Sequence, residues 1–194
     1  PWPSYIQTRR PEHALRMVPT TTATMHLLEA TKTVAYPCRT RAILEVAYGC
    51  GLRRMELRNL NVSDAQADSL RIRGKGGKER IVPLGTAAHT WLEKYLYGER
   101  LQIVKRHNQL EDGLFISERG KRLSIPSYNL ILRKLGAQKG LSLHCLRHAC
   151  ATHMLRNGAS VMVLQKLLGH SNVSTTEIYT KVATIDLQRL LDNH

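Results

Sequence analysis

A chain of 194 residues, 42% of them hydrophobic, is long enough to bury one sizeable core, and a single domain is the reading it favours. Its 29 Lys and Arg against 15 Asp and Glu leave a net charge of +14, an excess that suits a polyanion, most often nucleic acid. Aromatics make up only 5%, which speaks against a stacking platform for single strands, and no apolar run reaches the ~18 residues needed to span a bilayer.

The charge is not confined to a tail. Residues 1–97 carry 15 basic and 8 acidic groups and residues 98–194 carry 14 and 7, so each half holds +7. A basic folded body of this kind suggests a duplex held by its phosphates; the plainer alternative is a soluble protein that happens to be basic. Cys38, Cys50, Cys145 and Cys150 form no C-x-x-C pair and no small disulfide framework. They read as reduced, mostly buried thiols of a cytosolic protein. Because the first residue is Pro1, the chain is expected to be a piece of a longer one.

In chain order, residues 1–19 open with "PWPSYIQTRRPEH", three prolines among mixed charges, and read as a linker or arm. A helix is predicted near Thr21–Lys32. "CRTRAILEVAYGCG" places apolar residues at helical spacing, with Glu45 breaking the apolar run around Ala42 to Leu52, and ends in a glycine stop. "LRRMELRNL" resumes as a short helix. "SLRIRGKGGKERIVPL" holds two strand-like runs around a Gly-rich turn, a β-hairpin signal. A helix over Thr86–Lys105, a short strand at "GLFIS" and a turn at "ERGKR" come next. The remainder reads as helices over Ser127–Leu135, His144–Asn157 and Ser160–Leu168, with a C-terminal piece from Ile185. The fold class is therefore α+β and mostly α, with one small antiparallel sheet.

Several polar stretches carry candidate chemistry. Arg53 follows Gly51-Leu52 at a break between helices, where a side chain is aimed instead of trailing in solvent. In the hairpin, Arg71, Arg73, Lys75, Lys78 and Arg80 face one acid, Glu79, and strand alternation puts Arg71, Arg73 and Lys75 on one face. The turn lacks the spacing of a Walker loop. The alternative is a merely solubilising hairpin. In "LSLHCLRHACATH", His144 shares a helix face with Arg147 and with His148. Zinc is disfavoured, because Cys145 and Cys150 lie roughly 140° apart around a helix and Arg147 would set a cation beside the metal. Near the end, "LLGH" places His170 after the helix-stopping Gly169. Ser174-Thr175-Thr176-Glu177 fits a capping box that starts a short helix bearing Tyr179.

Phosphodiester cleavage unites these residues. A phenol with a pKa of about 10 needs help to ionise at pH 7, at a cost of about 4 kcal/mol. Two arginines gripping non-bridging oxygens offset the repulsion between phenolate and phosphate and meet the charge of the transition state. A histidine can take the phenol proton, and a lysine or histidine can protonate the leaving oxygen. No metal or other cofactor is required.

"GLRRMEL", "RGKGGKERIVPL", "HCLRHACATHML", "LLGH" and "STTEIYT", in that order, resemble the catalytic domain of tyrosine recombinases, with the closest likeness to Xer-type and phage- or transposon-encoded integrases. The resemblance runs from about residue 20 to the end, which makes 20–194 the catalytic domain. It implies that Arg53, Lys75, His144, Arg147, His170 and Tyr179 are the catalytic set, with Tyr179 the nucleophile, Lys75 the general acid toward the 5′-oxygen and Glu56 a structural support. Arg71, Arg73, Lys78 and Arg80 are the remaining expected DNA contacts. It further implies a 3′-phosphotyrosine intermediate, a Holliday junction within a homotetramer on double-stranded DNA, a monomer when free, and action at the bacterial nucleoid. An N-terminal DNA-clamp domain, usual in such enzymes, is missing from residues 1–194. The rival expectations are a type IB topoisomerase that nicks and reseals, and a catalytically silent duplex-binding module. Ile185, Leu187, Leu190 and Leu191 make the C-terminal piece amphipathic, to pack either on its own core or on a neighbouring protomer.

Overall fold

The computed structural model describes residues 18–74, 77–136, 141–169 and 192. Eight α-helices and one two-stranded hairpin make up the described fold: α1 (Thr21–Glu29), α2 (Pro37–Gly49), α3 (Arg54–Asn59), β1 (Ser69–Arg73), β2 (Glu79–Pro83), α4 (Thr86–Lys94), α5 (Leu101–His107), α6 (Ile125–Lys134), α7 (Leu143–Arg156) and α8 (Val161–Leu168). The mostly helical α+β class is as the sequence predicts.

α2 is the centre of the core. Thr40 and every residue from Ala42 to Tyr48 are buried, and the helix packs against both α4 and α7. Glu45, the one acid in that run, is buried and bonded to Arg41 one turn earlier at 2.6 Å. Burial pushes its carboxyl above the usual range, and Arg41 offsets this in part. No helix among the described residues is long and apolar enough to cross a membrane.

Local chemistry sets the boundaries. Thr20, Ser124, Ser142 and Ser160 each accept an N–H of the following first turn, capping α1, α6, α7 and α8. α6 thus starts two residues before the predicted Ser127, with a proline in its first turn, where a missing N–H is harmless. The predicted helix over Thr86–Lys105 is found, but a π-helical stretch at Tyr95–Arg100 joins α4 to α5. Asp192 accepts from both the N–H and the hydroxyl of Thr86, at 2.7 and 2.9 Å, so the start of α4 is capped from the C-terminal end of the same chain.

The hairpin pairs Ser69 with Pro83 through Arg73 with Glu79. Leu70, Ile72 and Val82 turn to the core and Arg71, Arg73 and Ile81 turn out. Ile72 pairs with Arg80, which places Arg80 on the inward face.

The strand predicted at "GLFIS" does not form. Leu114, Phe115 and Ile116 are all buried. Their backbone groups go to three different places. Leu114 N–H reaches Leu60 O, Ile116 N–H reaches the Tyr95 hydroxyl, and Phe115 O accepts from Leu123. Stacking of Phe115 on Tyr95 fixes the segment, and only isolated bridges remain at Gly113 and Ile116.

Candidate active site

α2 stops at Cys50, and Gly51 takes a left-handed φ of 56° that turns the chain sharply into α3. A side chain there would meet Leu168 at 2.7 Å. Leu52 is buried, and Arg53 is the extended N-cap of α3. Glu56, at the third position of the helix, accepts the Arg53 backbone N–H at 2.9 Å, which is half of a capping box. The sharp turn and the cap together aim the Arg53 side chain. Its Nη1 bonds Glu56 Oε1 at 2.8 Å and its Nη2 approaches Gly169 O at 3.4 Å. With 44% of the side chain exposed, Arg53 faces solvent.

Arg147 comes from the middle of α7 and is nearly covered, at 7% exposure. Its Nη1 donates to Gly51 O at 2.6 Å and its Nη2 to Leu168 O at 2.8 Å. One guanidinium thereby ties α7 to the bend before α3 and to the end of α8. Burial, with the charges of Arg53 and Arg80, pushes its pKa down to about 10, and Glu56 offsets this in part, so the group remains a cation at neutral pH.

Glu56 is the anion at the centre. Besides Arg53 it receives Arg80, whose Nη1 and Nη2 lie 3.0 and 2.9 Å from the two carboxylate oxygens, and Arg147 Nη1 stands 3.9 Å away. Burial alone would raise the carboxyl, but the bonds and charge of Arg80, joined by those of Arg53, hold it below the usual glutamate range. Three guanidinium groups around one carboxylate leave a local excess of two positive charges, of which a phosphodiester monoanion would neutralise one and leave the other to meet charge that builds in a transition state.

His144 sits in the first turn of α7, one helical step from Arg147, and is exposed. Its Nε2 lies 3.0 Å from His148 Nε2, with the rings edge to face at 4.5 Å. One imidazole N–H thus faces the lone pair of the other. The sequence shows His148 on this face but gives it no role.

Of the sequence-predicted set, the structure brings together Arg53 and Arg147, and places His144 one turn from Arg147 on α7. Lys75, His170 and Tyr179 lie outside the described residues, as do the predicted capping box at Ser174 and the helix from Ile185. The expected glycine stop before His170 is present: α8 ends at Gly169, with φ 64° and its N–H returned to the last helical carbonyls. On the hairpin, Arg71 and Arg73 both reach the buried Asp64, at 3.3 and 3.1 Å, and Arg73 also pairs with Glu79. Lys78 is exposed. Arg80, expected among the DNA contacts, is engaged inward on Glu56 with 13% of its side chain exposed.

Among the described residues no group of three His, Cys, Asp or Glu is placed to hold a metal. The four cysteines stand outside any disulfide, and Cys50, Cys145 and Cys150 are buried. Burial pushes the Cys150 thiol up to about 12, although the neighbouring Arg147 pulls the other way, so it is no nucleophile at neutral pH.

The sequence model of the phage integrase family matches residues 20–185. The chain belongs to the phage integrase family. It is 38% identical over 196 aligned positions to the tyrosine recombinase XerD of Oceanobacillus iheyensis, an alignment covering 98% of this chain and 66% of that protein. The crystal structure of XerA recombinase superposes with a TM-score of 0.68 at 32% identity, over 88% of this integrase-family chain and 63% of that one. XerH bound to its difH substrate shares the fold, with a TM-score of 0.63 at 23% identity, over 87% of this chain and 52% of that one. The chain therefore spans between about half and two thirds of the length of the proteins it matches.

Proposed function

We propose that this integrase-family chain is the catalytic domain, residues 20–194, of a site-specific DNA recombinase that cuts and rejoins duplex DNA through Tyr179. The single observation that carries the reading is the joining of Arg53 and Arg147 around Glu56, a preorganised pair of guanidinium groups that lie 94 positions apart in the sequence. The likeness to XerD and XerA and the DNA in the XerH complex support it.

In this reading the Tyr179 oxygen attacks the phosphorus while the bond to the 5′-oxygen breaks, giving a 3′-phosphotyrosine and a free 5′-hydroxyl. The phenol proton passes to a histidine, His144 or His170, and Lys75 delivers a proton to the 5′-oxygen. Arg53 and Arg147 hold the two non-bridging oxygens as charge grows on them. Exchange of the 5′-ends between two duplexes in a homotetramer forms and resolves a Holliday junction. The bond energy stays in the phosphotyrosine, so no ATP is consumed. Arg71, Arg73 and Lys78 supply phosphate contacts from the hairpin.

The test is a pool of nicked duplexes of randomised sequence, on which cleavage traps the protein covalently. The wild-type chain is expected to give SDS-resistant adducts in EDTA, and Tyr179→Phe to bind the pool and give none. Adducts that persist in Tyr179→Phe overturn the reading. Relaxation of supercoils without strand exchange between two sites moves it to a type IB topoisomerase.

A further inference from the structure

Arg80 is the basic residue of the hairpin that does not behave as a surface cation. Opposite Ile72 in the register, it stands on the face that β1 and β2 turn to the core. Its fork closes on both oxygens of Glu56, and its Nε donates to Leu167 O at 3.0 Å, in the last turn of α8. The guanidinium is also seated against Gly169: a Cβ at that position would lie 2.9 Å from Nη1 and 3.1 Å from the guanidinium carbon. One side chain therefore touches three pieces of the site at once. These are the hairpin whose turn carries Lys75, the carboxylate that holds Arg53 and faces Arg147, and the helix end that leads to His170.

We propose that Arg80 is a positioning residue for the cleavage reaction, fastening the hairpin, the Glu56–arginine cluster and the end of α8 into one body, and that it makes no phosphate contact. The proposal rests on the recombinase reading. Its physical basis is the shape of the group. A guanidinium presents donors along two edges, so it meets a carboxylate with one and a carbonyl with the other; an ammonium is a single point and cannot span both. With both Glu56 oxygens occupied by Arg80, the carboxylate is fixed in orientation, and Arg53 is fixed by it. Burial of the pair makes the arrangement stiff, since neither partner is solvated well enough to leave alone. Lys78, exposed on the same strand-turn unit, is the residue a phosphate would find instead.

Arg80→Lys separates the two roles. Three quantities are read on the 194-residue chain: affinity for the randomised nicked pool at several salt concentrations, the single-turnover cleavage rate at saturating DNA, and amide exchange of residues 53–57, 79–83 and 164–169. A positioning role predicts affinity within about 2-fold and an unchanged salt slope, with a cleavage rate lower by about 100-fold. It also predicts faster exchange in all three segments together. A phosphate contact predicts the reverse: weaker binding, a salt slope lower by about 1, and a near-normal rate once DNA saturates. That result overturns the proposal, as does faster exchange with an undiminished rate, which would make the fastening structural only. Should the wild-type chain form no adducts, the recombinase reading fails, and the exchange data alone decide whether Arg80 fastens the three segments. Should Arg80→Lys not fold, Gly169→Ala takes its place, since the added methyl pushes on a retained guanidinium; a rate equal to wild type there also overturns the proposal.

Discussion

Arg147 Nη1 stands 3.9 Å from Glu56 Oε2, beyond hydrogen-bond reach, while the same carboxylate is bonded to Arg53 and Arg80. Arg147 instead gives two of its five N–H donors to Gly51 O and Leu168 O. The acid thus fixes two arginines directly and acts on the third through charge alone. Arg53 remains the outermost and the most exposed of the three.

Removal of that charge is the first expectation. Glu56→Ala leaves three neighbouring guanidinium groups with no counter-ion, two of them nearly covered. Breaking a buried pair from one side costs about 3 kcal/mol or more, which for a domain of this size lowers the melting midpoint by about 6–12 °C. Glu56→Gln keeps the shape and should cost less. Thermal melts followed by circular dichroism check both, and an unchanged midpoint in Glu56→Ala would show that solvent already neutralises the cluster.

Acid should destabilise the fold in two windows. His153, buried in α7 with Nδ1 2.8 Å from the Tyr48 hydroxyl, is held below the ordinary histidine value by burial and by Arg156, and the nearby backbone of Pro19 offsets this in part. A depressed folded value means that the unfolded chain binds the proton first. The contribution is full above the unfolded value of 6.5 and is lost as pH falls toward the folded one. Glu56 acts in the same direction lower down: its contribution is full above 4.5 and fades as pH falls through its lowered folded value. Denaturant midpoints measured from neutral pH into acid should therefore fall in two steps. Glu56→Gln should remove the lower step and leave the upper. A lower step of wild-type depth in Glu56→Gln assigns it to other carboxylates.

What could be read from the sequence follows how local each signal is. The stop at Gly51, the stop at Gly169, the hairpin and the span of α8 depend on neighbours a few residues away, and the structure has them. The strand at "GLFIS" was a local reading that lost to packing, because Tyr95 and Leu60 took the backbone groups a sheet would have used. The inward turn of Arg80 was within reach: the alternation that puts Arg71 and Arg73 on one face puts Arg80, across the turn, on the other once the register is known. Its partner was not, since Glu56 lies 24 positions away and the third contact, Leu167, 87 away. The joining of Arg53 and Arg147 was implied by their shared chemistry and by family resemblance, because spacing within one segment says nothing about segments nearly a hundred residues apart.

Two glycines at the end of α2 should respond oppositely to alanine. Gly51, at φ 56°, has Leu168 and the Cys150 sulfur in the space a Cβ would take, and its carbonyl is the acceptor for Arg147. Gly51→Ala should lower stability by about 2 kcal/mol or more, adding left-handed strain to overpacking. Gly49 is the last residue of α2, has nothing within 4 Å of a built Cβ and has no positive φ. Gly49→Ala should raise stability by about 0.5–1 kcal/mol. Urea unfolding of both variants is the measurement, and destabilisation by Gly49→Ala would mean that the helix end is not as open as its geometry indicates.

Arg147→Ala should cost the chemical step far more than the binding of DNA. The side chain is nearly covered and anchored by two carbonyls, so it adds little to the outer surface that a duplex first meets. Its worth lies in being already in place, unable to relax, when charge accumulates on the phosphate oxygens. Removing one preorganised donor of that kind lowers a rate by about 100- to 1,000-fold. A phosphate contact at the surface would instead weaken affinity and reduce its salt dependence. Single-turnover cleavage and equilibrium binding on the same randomised nicked pool separate these effects, provided that a melt shows the variant folded. Arg147→Lys sharpens the point: it keeps the charge but cannot hold Gly51 O and Leu168 O together, so it should recover binding fully and cleavage only in small part. Equal losses in rate and affinity for Arg147→Ala would make the residue an anchor for DNA and leave the charge of the transition state to Arg53.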